Sequence, residues 1–204
     1  GKYVELQDAY KSINEALFQA ATYNNRKLDL QYIHSEKLTE SNVEEKLSSM
    51  DGLIIAPGFG QRGVEGKFVA LKYAREHDMP TFGICLGMQL MCRHSEEGDV
   101  DCLGIFDVDV KRFVSQKHED KVPHMGWNTI SQTSSSLFKG FAKEKFVYFV
   151  HSFYVPVNDC TAAVTDYILP FSAALHKDNY YATQFHPEKS GSVGERILQN
   201  FLDL

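Results

Sequence analysis

The chain has 204 residues, 43% of them hydrophobic, and its 21 basic and 27 acidic residues give a net charge of −6. This composition suits one compact domain with a real core. No run approaches the ~18 consecutive apolar residues of a membrane span, no signal peptide opens the chain, and the lack of a basic cluster argues against nucleic acid as a partner. Cys85, Cys92, Cys102 and Cys160 make no C-x-x-C and no metal-type pair, so free thiols in a reducing cytosol are expected. Neither a metal site nor a phosphate-binding loop is visible, and no cofactor is expected.

In chain order, Ala9, Ile13, Ala16, Leu17 and Ala20 recur at helical spacing and predict a helix over 8–23. Residues 28–34 read as a strand. Ser41-Asn42-Val43-Glu44 has the form of a capping box and predicts a helix running on to Met50. Residues 52–57 read as a buried strand ending in the turn Gly58-Phe59-Gly60, followed by a helix over 64–77 and a strand over 81–85. Such alternation predicts an α/β fold with a parallel, doubly wound sheet. Beyond Gly98 the pattern becomes β-rich, with strands at 105–113, 128–131, 146–155, 162–167, 172–176 and 180–185, and a last helix over 193–202. An antiparallel extension of the α/β core follows, all within one domain spanning 1–204. A strand is also expected ahead of the first helix, where only residues 1–6 stand; if it is missing, the sheet has an unfilled position.

Cys85 lies in Gly83-Ile84-Cys85-Leu86-Gly87, entered from the apolar run Met79-Pro80-Thr81-Phe82. A strand that breaks sharply into a helix needs small residues on both sides of the turning residue, whose side chain is then exposed at the tip of the sheet. A cysteine there sits beside the positive end of the next helix, which favours its thiolate. An activating base is still needed. His186, in Gln184-Phe185-His186-Pro187-Glu188, can be that base, and Glu188 can hold the imidazole in its working tautomer. A lone cysteine is usually a small buried hydrophobe and a lone His-x-Glu usually a surface pair; both in this order and context point to a nucleophilic triad. His124 and His151 are read as structural.

With Gly-Ile-Cys-Leu-Gly-Met-Gln early and Gln-Phe-His-Pro-Glu late, the chain resembles the class I, triad-type glutamine amidotransferases. The resemblance implies a flavodoxin-like open mixed sheet flanked by helices. It implies hydrolysis of glutamine to glutamate and ammonia through a cysteinyl thioester, with Cys85, His186 and Glu188 as the triad. Oxyanion donors are expected at Leu86 and in the Pro57-Gly58-Phe59-Gly60 turn, at Gly58 or Phe59. Gln89 would hold the substrate, Glu97 its ammonium group, and the Ser152 and Phe153 backbone its carboxylate end. For these last roles a solvated acidic loop and an ordinary strand serine are the plain alternatives.

Two families share the nucleophile segment, and the chain is similar to both. Residues 1–89, with Gly-Lys-Tyr-Val-Glu-Leu and Ala-Pro-Gly-Phe-Gly-Gln-Arg-Gly, resemble the glutaminase domain of CTP synthase. From 90 on, Ser95-Glu96-Glu97-Gly98, Pro123-His124-Met125-Gly126-Trp127-Asn128 and His186-Pro187-Glu188-Lys189-Ser190 are similar to the glutaminase subunit of imidazole glycerol phosphate synthase. The reading is a hybrid joined near 83–90, with one unusual natural subunit as the alternative. The rear half implies a (β/α)8-barrel cyclase partner that receives the ammonia, met by Trp127 and Lys189. The front-half docking loop of that family is replaced by Lys2-Tyr3-Val4-Glu5, which implies weakened docking. A folded scaffold with little activity, a CTP synthase-type glutaminase and a γ-glutamyl peptidase are the competing readings. No amidoligase motif accompanies the glutaminase, so the chain by itself can at most make ammonia.

Overall fold

The computed structural model describes residues 1–6, 8–58, 62–141 and 145–204. Helix α1 (Lys11–Tyr23) buries Ile13, Leu17 and Ala20 of the predicted stripe together with Ala21, while Ala16 is half-buried and Ala9 lies exposed before the helix. Helix α2 (Val43–Leu47) is shorter than expected. Its N-cap is Asn42 rather than Ser41, and the Asn42 side chain instead accepts from the Thr39 N–H at 2.9 Å, so the capping box does not form. Strand β1 (Leu53–Ile55), helix α3 (Val64–Glu76), strand β2 (Thr81–Ile84) and the single turn α4 (Leu86–Gln89) follow as alternation predicts.

The second half supplies β3 (His94–Ser95), β4 (Val100–Asp101), β5 (Asp109–Arg112), β6 (His124–Ile130), β7 (Lys145–His151), β8 (Phe153–Tyr154), β9 (Thr161–Tyr167), β10 (Leu169–Lys177) and β11 (Tyr180–Thr183), then α5 (Gly191–Leu202). The main sheet has the order β1-β2-β11-β10-β9. Its first three strands run parallel and the last two antiparallel, which is an open mixed sheet with an antiparallel extension. Smaller sheets, β4-β3-β5-β8 and β6-β7, cover its far end. The two-residue strands β3 and β4 are too short to leave a period-two signal in sequence.

Side chains alternate across this sheet and fill two cores. Phe82, Ile84 and Tyr181 pack with α1 and α5, where Phe82 stacks on Phe201 at 5.2 Å between ring centroids. Ile55, Tyr180 and Ala182 pack with α2, α3 and α4. Phe149, Phe171 and Phe185 interlock edge-to-face at 5.7 and 5.8 Å and tie the β6-β7 layer to the first core. Each such ring contributes roughly 1.5–3 kcal/mol through burial.

Residues 28–34 form no strand, contrary to expectation. Among the described residues the stretch is extended without a paired strand, and a groove of about 850 Å³ separates it from the outer edge of β1. A strand is defined by its lateral hydrogen bonds, and among the described residues those at its end come from Gly1: the Gly1 nitrogen donates to Ile33 O at 3.1 Å, and Ser35 N–H donates to Gly1 O at 2.8 Å. Residues 1–6 make turns, and the position expected for a first strand is the groove, lined by Leu17, Leu28, Leu30, Ile54 and Phe201.

Helix α5 reaches the turn 187–189 through Gly194, whose missing side chain lets the helix backbone lie on Pro187. A Cβ there would overlap the Pro187 carbonyl. Gly194→Ala is therefore expected to destabilise the fold by about 1–3 kcal/mol, the usual cost of overpacking. The measurement is the urea midpoint, and an unchanged midpoint would mean that the helix slides without penalty.

Candidate active site

The sheet register brings the two halves of the predicted triad together. Strands β2 and β11 are parallel neighbours with Ile84 opposite Thr183, so both end at the same edge. Cys85 follows Ile84 directly and donates its N–H to Thr183 O at 2.8 Å. Its backbone sits at φ 54°, ψ −108°, a strained conformation for a residue with a side chain, and the turn projects the thiol from the sheet edge. The flanking glycines make this possible. A Cβ on Gly83 would lie 2.8 Å from the Gly87 backbone, and one on Gly87 would lie 2.5 Å from Ile55 O. The reading of small residues on both sides of the nucleophile holds for that reason.

Residues 184–186 continue from β11 to the same edge. His186 Nδ1 bonds Glu188 Oε1 at 2.8 Å, with both side chains buried. Since the carboxylate accepts, Nδ1 carries the hydrogen and Nε2 is the nitrogen left to act. Nε2 is buried without a formed hydrogen bond among the described residues. Burial opposes charge on the imidazole, but the Cys85 thiol beside it and the Glu188 carboxylate outweigh burial and raise its pKa from 6.5 to about 9. A site without substrate often holds its catalytic partners slightly apart, which reconciles this coupling with the unformed bond.

Two residues that sequence reasoning missed hold Cys85 and His186 in place. Gln184 is fully buried and directs Nε2 to Cys85 Sγ at 3.7 Å, while its Oε1 accepts from Gln89 Nε2 at 3.2 Å. Among the described residues Gln89 Oε1 is buried without a hydrogen-bond partner. Ser190 accepts the Tyr148 N–H at 3.0 Å and donates to His186 O at 2.6 Å, clamping the histidine turn to β7. Both lie inside the quoted motif, and period-two alternation from His186 was the signal that could have found Gln184.

The remaining predicted residues take the following places. Leu86 opens α4, where the first N–H groups lack intrahelical acceptors. Gly58 is half-buried beside Lys2 and Lys67, and Phe59 lies outside the described residues. Glu97 follows β3, its N–H donating to Ser95 Oγ at 3.1 Å; partial burial raises its carboxyl pKa. Glu96 instead accepts the Arg112 N–H at 2.7 Å. Strand β5 carries β3 on one side and β8 on the other, so Glu97 and the pair Ser152–Phe153 flank the same strand. Trp127 and Lys189 are exposed, whereas the side chains of His186 and Glu188 are buried. All four cysteines are free; burial raises the Cys92 and Cys102 thiols, the latter to about 11, so neither is a nucleophile near neutrality.

An elbow cysteine facing a carboxylate-anchored histidine on an open mixed sheet is the arrangement of the class-I glutamine amidotransferases. The family model for that class matches residues 5–204, and the chain belongs to the family. It is 69% identical over 168 residues to the imidazole glycerol phosphate synthase subunit HisH of Bacteroides thetaiotaomicron, an alignment covering 79% of this chain and 84% of the relative. It is also 74% identical over 91 residues to the CTP synthase of Porphyromonas gingivalis, covering 45% of this chain but 17% of that protein. In fold it is similar to the acivicin-bound glutaminase domain of the Trypanosoma brucei CTP synthase, with a TM-score of 0.76 at 24% identity over 100% of this chain and 92% of that one. Among the described residues no helix is long and apolar enough to cross a membrane.

Proposed function

We propose that the chain hydrolyses L-glutamine to L-glutamate and ammonia, with Cys85, His186 and Glu188 as the catalytic triad. The observation that carries this is the Cys85 elbow set beside an imidazole whose other nitrogen is fixed by buried Glu188 at 2.8 Å. Cys85 Sγ attacks the side-chain carbonyl carbon, and the proton held on His186 passes to the departing ammonia. Leu86 N–H and a donor from the Gly58–Phe59 turn receive the tetrahedral oxygen. Water, deprotonated by the same imidazole, then cleaves the thioester. Gln89, Glu97 and the Ser152–Phe153 backbone hold the amino-acid end of the substrate; partly buried Glu97 is suited to an ammonium group, which favours free glutamine over a γ-glutamyl peptide.

The ammonia is intended for a synthase partner, and the face of the β6-β7 hairpin supports that reading. Met125, Trp127 and Phe146 are 62%, 56% and 59% exposed. Register places them on one side with Tyr148 and Val150, opposite the side that enters the core. Tyr148 accepts the His186 N–H at 2.9 Å, so this aromatic face is one peptide from the catalytic histidine, and Lys189 stands beside it. A barrel cyclase of the kind that works with HisH is the proposed occupant. The partial likeness to CTP synthase supports a hybrid in which a front half of that type, joined near 83–90, meets a rear half of HisH type.

The test is glutamate release from glutamine by the chain alone and with the ligand-loaded cyclase. Stimulation is expected, and Trp127→Ala should reduce it about tenfold or more while leaving the basal rate within twofold. No stimulation would remove the partner and leave the glutaminase; no glutamate in either case would leave a folded scaffold.

A further inference from the structure

Lys67 is a buried charge that the chemistry above does not use. It lies in the first turn of α3, is 4% exposed, and its ammonium donates to Ala56 O at 2.8 Å. Ala56 follows β1 and leads into Pro57 and Gly58, the described part of the proposed oxyanion turn. Lys67 and Lys2 both converge on Gly58: a Cβ there would lie 3.9 Å from the Lys67 nitrogen and 3.4 Å from the Lys2 stem.

Among the described residues, the side chains that act on Lys67 are Lys2 and Cys85, with no carboxylate beside them. Burying an ammonium without a counter-ion costs several kcal/mol. A methionine or leucine would fill the same space without that cost. Burial and then Lys2 lower its pKa from 10.5 to about 8, whereas Cys85 acts to keep it charged. Three properties therefore meet in one side chain: a charge-assisted bond to the peptide before the turn, proximity to Gly58, and electrostatic coupling to the nucleophile.

We propose that Lys67 is a positioning residue of the reaction: its ammonium clamps the Ala56 carbonyl, fixes the Pro57–Gly58 turn that offers an N–H to the tetrahedral oxygen, and places positive charge behind that oxygen. The bond directs the Ala56 carbonyl into the α3 side of the turn, away from the oxyanion, where its negative end would oppose catalysis. The charge is worth most in the transition state, when the substrate carbonyl becomes an oxyanion, and little for ground-state glutamine, which is neutral at that end. This inference rests on the glutaminase reading above.

The experiment compares steady-state hydrolysis of glutamine, with the cyclase present, by the wild-type chain and by Lys67→Met, Lys67→Gln and Lys67→Arg. Folding of each is checked by its circular dichroism and melting curve. Lys67→Met is expected to lower kcat about 10- to 100-fold with KM within about twofold, because a misplaced turn costs rate rather than binding. Lys67→Arg, which keeps a charged donor, is expected to recover most of the loss, and Lys67→Gln to recover little. Should the Met chain fail to fold, the contrast between Gln and Arg decides. An unchanged kcat in the neutral variants overturns the proposal, as does equal impairment of Arg and Gln. A wild-type chain that releases no glutamate sinks the glutaminase reading itself and this inference with it, so the two failures are told apart by the wild type.

Discussion

Replacing Cys85 with alanine is expected to lower glutamate release by about 10⁴-fold or more, the loss found when the nucleophile of a covalent mechanism is removed. No other thiol can substitute: Cys92 is buried in the second core, and Cys102 and Cys160 lie elsewhere with thiols raised by burial. The fold should survive, since the thiol gives up the weak 3.7 Å contact from Gln184 and its coupling to His186, and the strained backbone at Cys85 is no worse for alanine. Circular dichroism and a melting curve would establish this alongside the assay. A glutamine-mimicking electrophile should add one equivalent to the wild type and none to the alanine chain. Release retained by Cys85→Ala, or label found on another residue, would remove Cys85 from the mechanism.

The second large effect is on stability in mild acid. His124 and His151 form a buried relay: His151 Nδ1 bonds Phe153 O at 2.6 Å, His124 Nδ1 bonds His151 Nε2 at 3.1 Å, and Asn128 reaches His124 Nε2 at 3.4 Å. The Phe153 carbonyl can only accept, so each ring has a defined neutral tautomer, donating at Nδ1 and accepting at Nε2. His124 is further stacked on Tyr167 and Phe149 at 3.9 and 4.7 Å. Burial lowers the pKa of His124 from 6.5 to about 4; burial, partly offset by the Phe153 bond, lowers His151 to about 3.

A group with a depressed folded pKa is bound by more protons when unfolded, so its contribution is intact above pH 6.5 and is lost as pH falls toward 4 and 3. Between pH 6.5 and 5 each histidine should remove about 1.5 kcal/mol of unfolding free energy, roughly 3 for the pair. His94, raised mainly by Asp101, works the other way near the surface. His186, raised to about 9, keeps its contribution below pH 6.5 and loses it as pH climbs through 9. Urea midpoints at pH 7, 6 and 5 would show the slope. His124→Asn is expected to be less stable at neutrality yet to lose about half of the acid dependence. A slope unaltered by substitution at either histidine would show that the pair does not carry it. Because the relay ends on Phe153, the same acidification should also loosen the proposed carboxylate subsite.

Much of the site was legible because its chemistry is written locally. The elbow needs glycine, nucleophile and glycine within five residues, since Gly83 and Gly87 meet each other's backbone and that of Ile55. His186 and Glu188 are two residues apart and bond directly. Helix α1 was read from its apolar stripe, and helices over 64–77 and 193–202 were expected where α3 and α5 stand. The structural role read for His124 and His151 likewise agrees with their burial and mutual bonding.

What failed depended on distant partners. The expected strand over 28–34 is only an extended segment, because strand character belongs to a pair of chains and its neighbouring position is a groove. Ser41 lost the cap to Asn42, whose side chain had a better-placed partner in Thr39. Lys67 carries no local signal of its burial; the packing of α3 places it, 4% exposed, beside Gly58.

Short-range sterics and side-chain periodicity made the candidate elbow around Cys85 and the order of α/β elements legible in the chain itself. The assembled fold brings Cys85 and His186 together. That depends on β2 and β11 lying side by side in parallel register, with Ile84 opposite Thr183. It also decided which polar residues, Gln184, Ser190 and Lys67 among them, are buried at the site. Burial and long-range pairing are properties of the assembled sheet, and no local stretch of sequence encodes them alone.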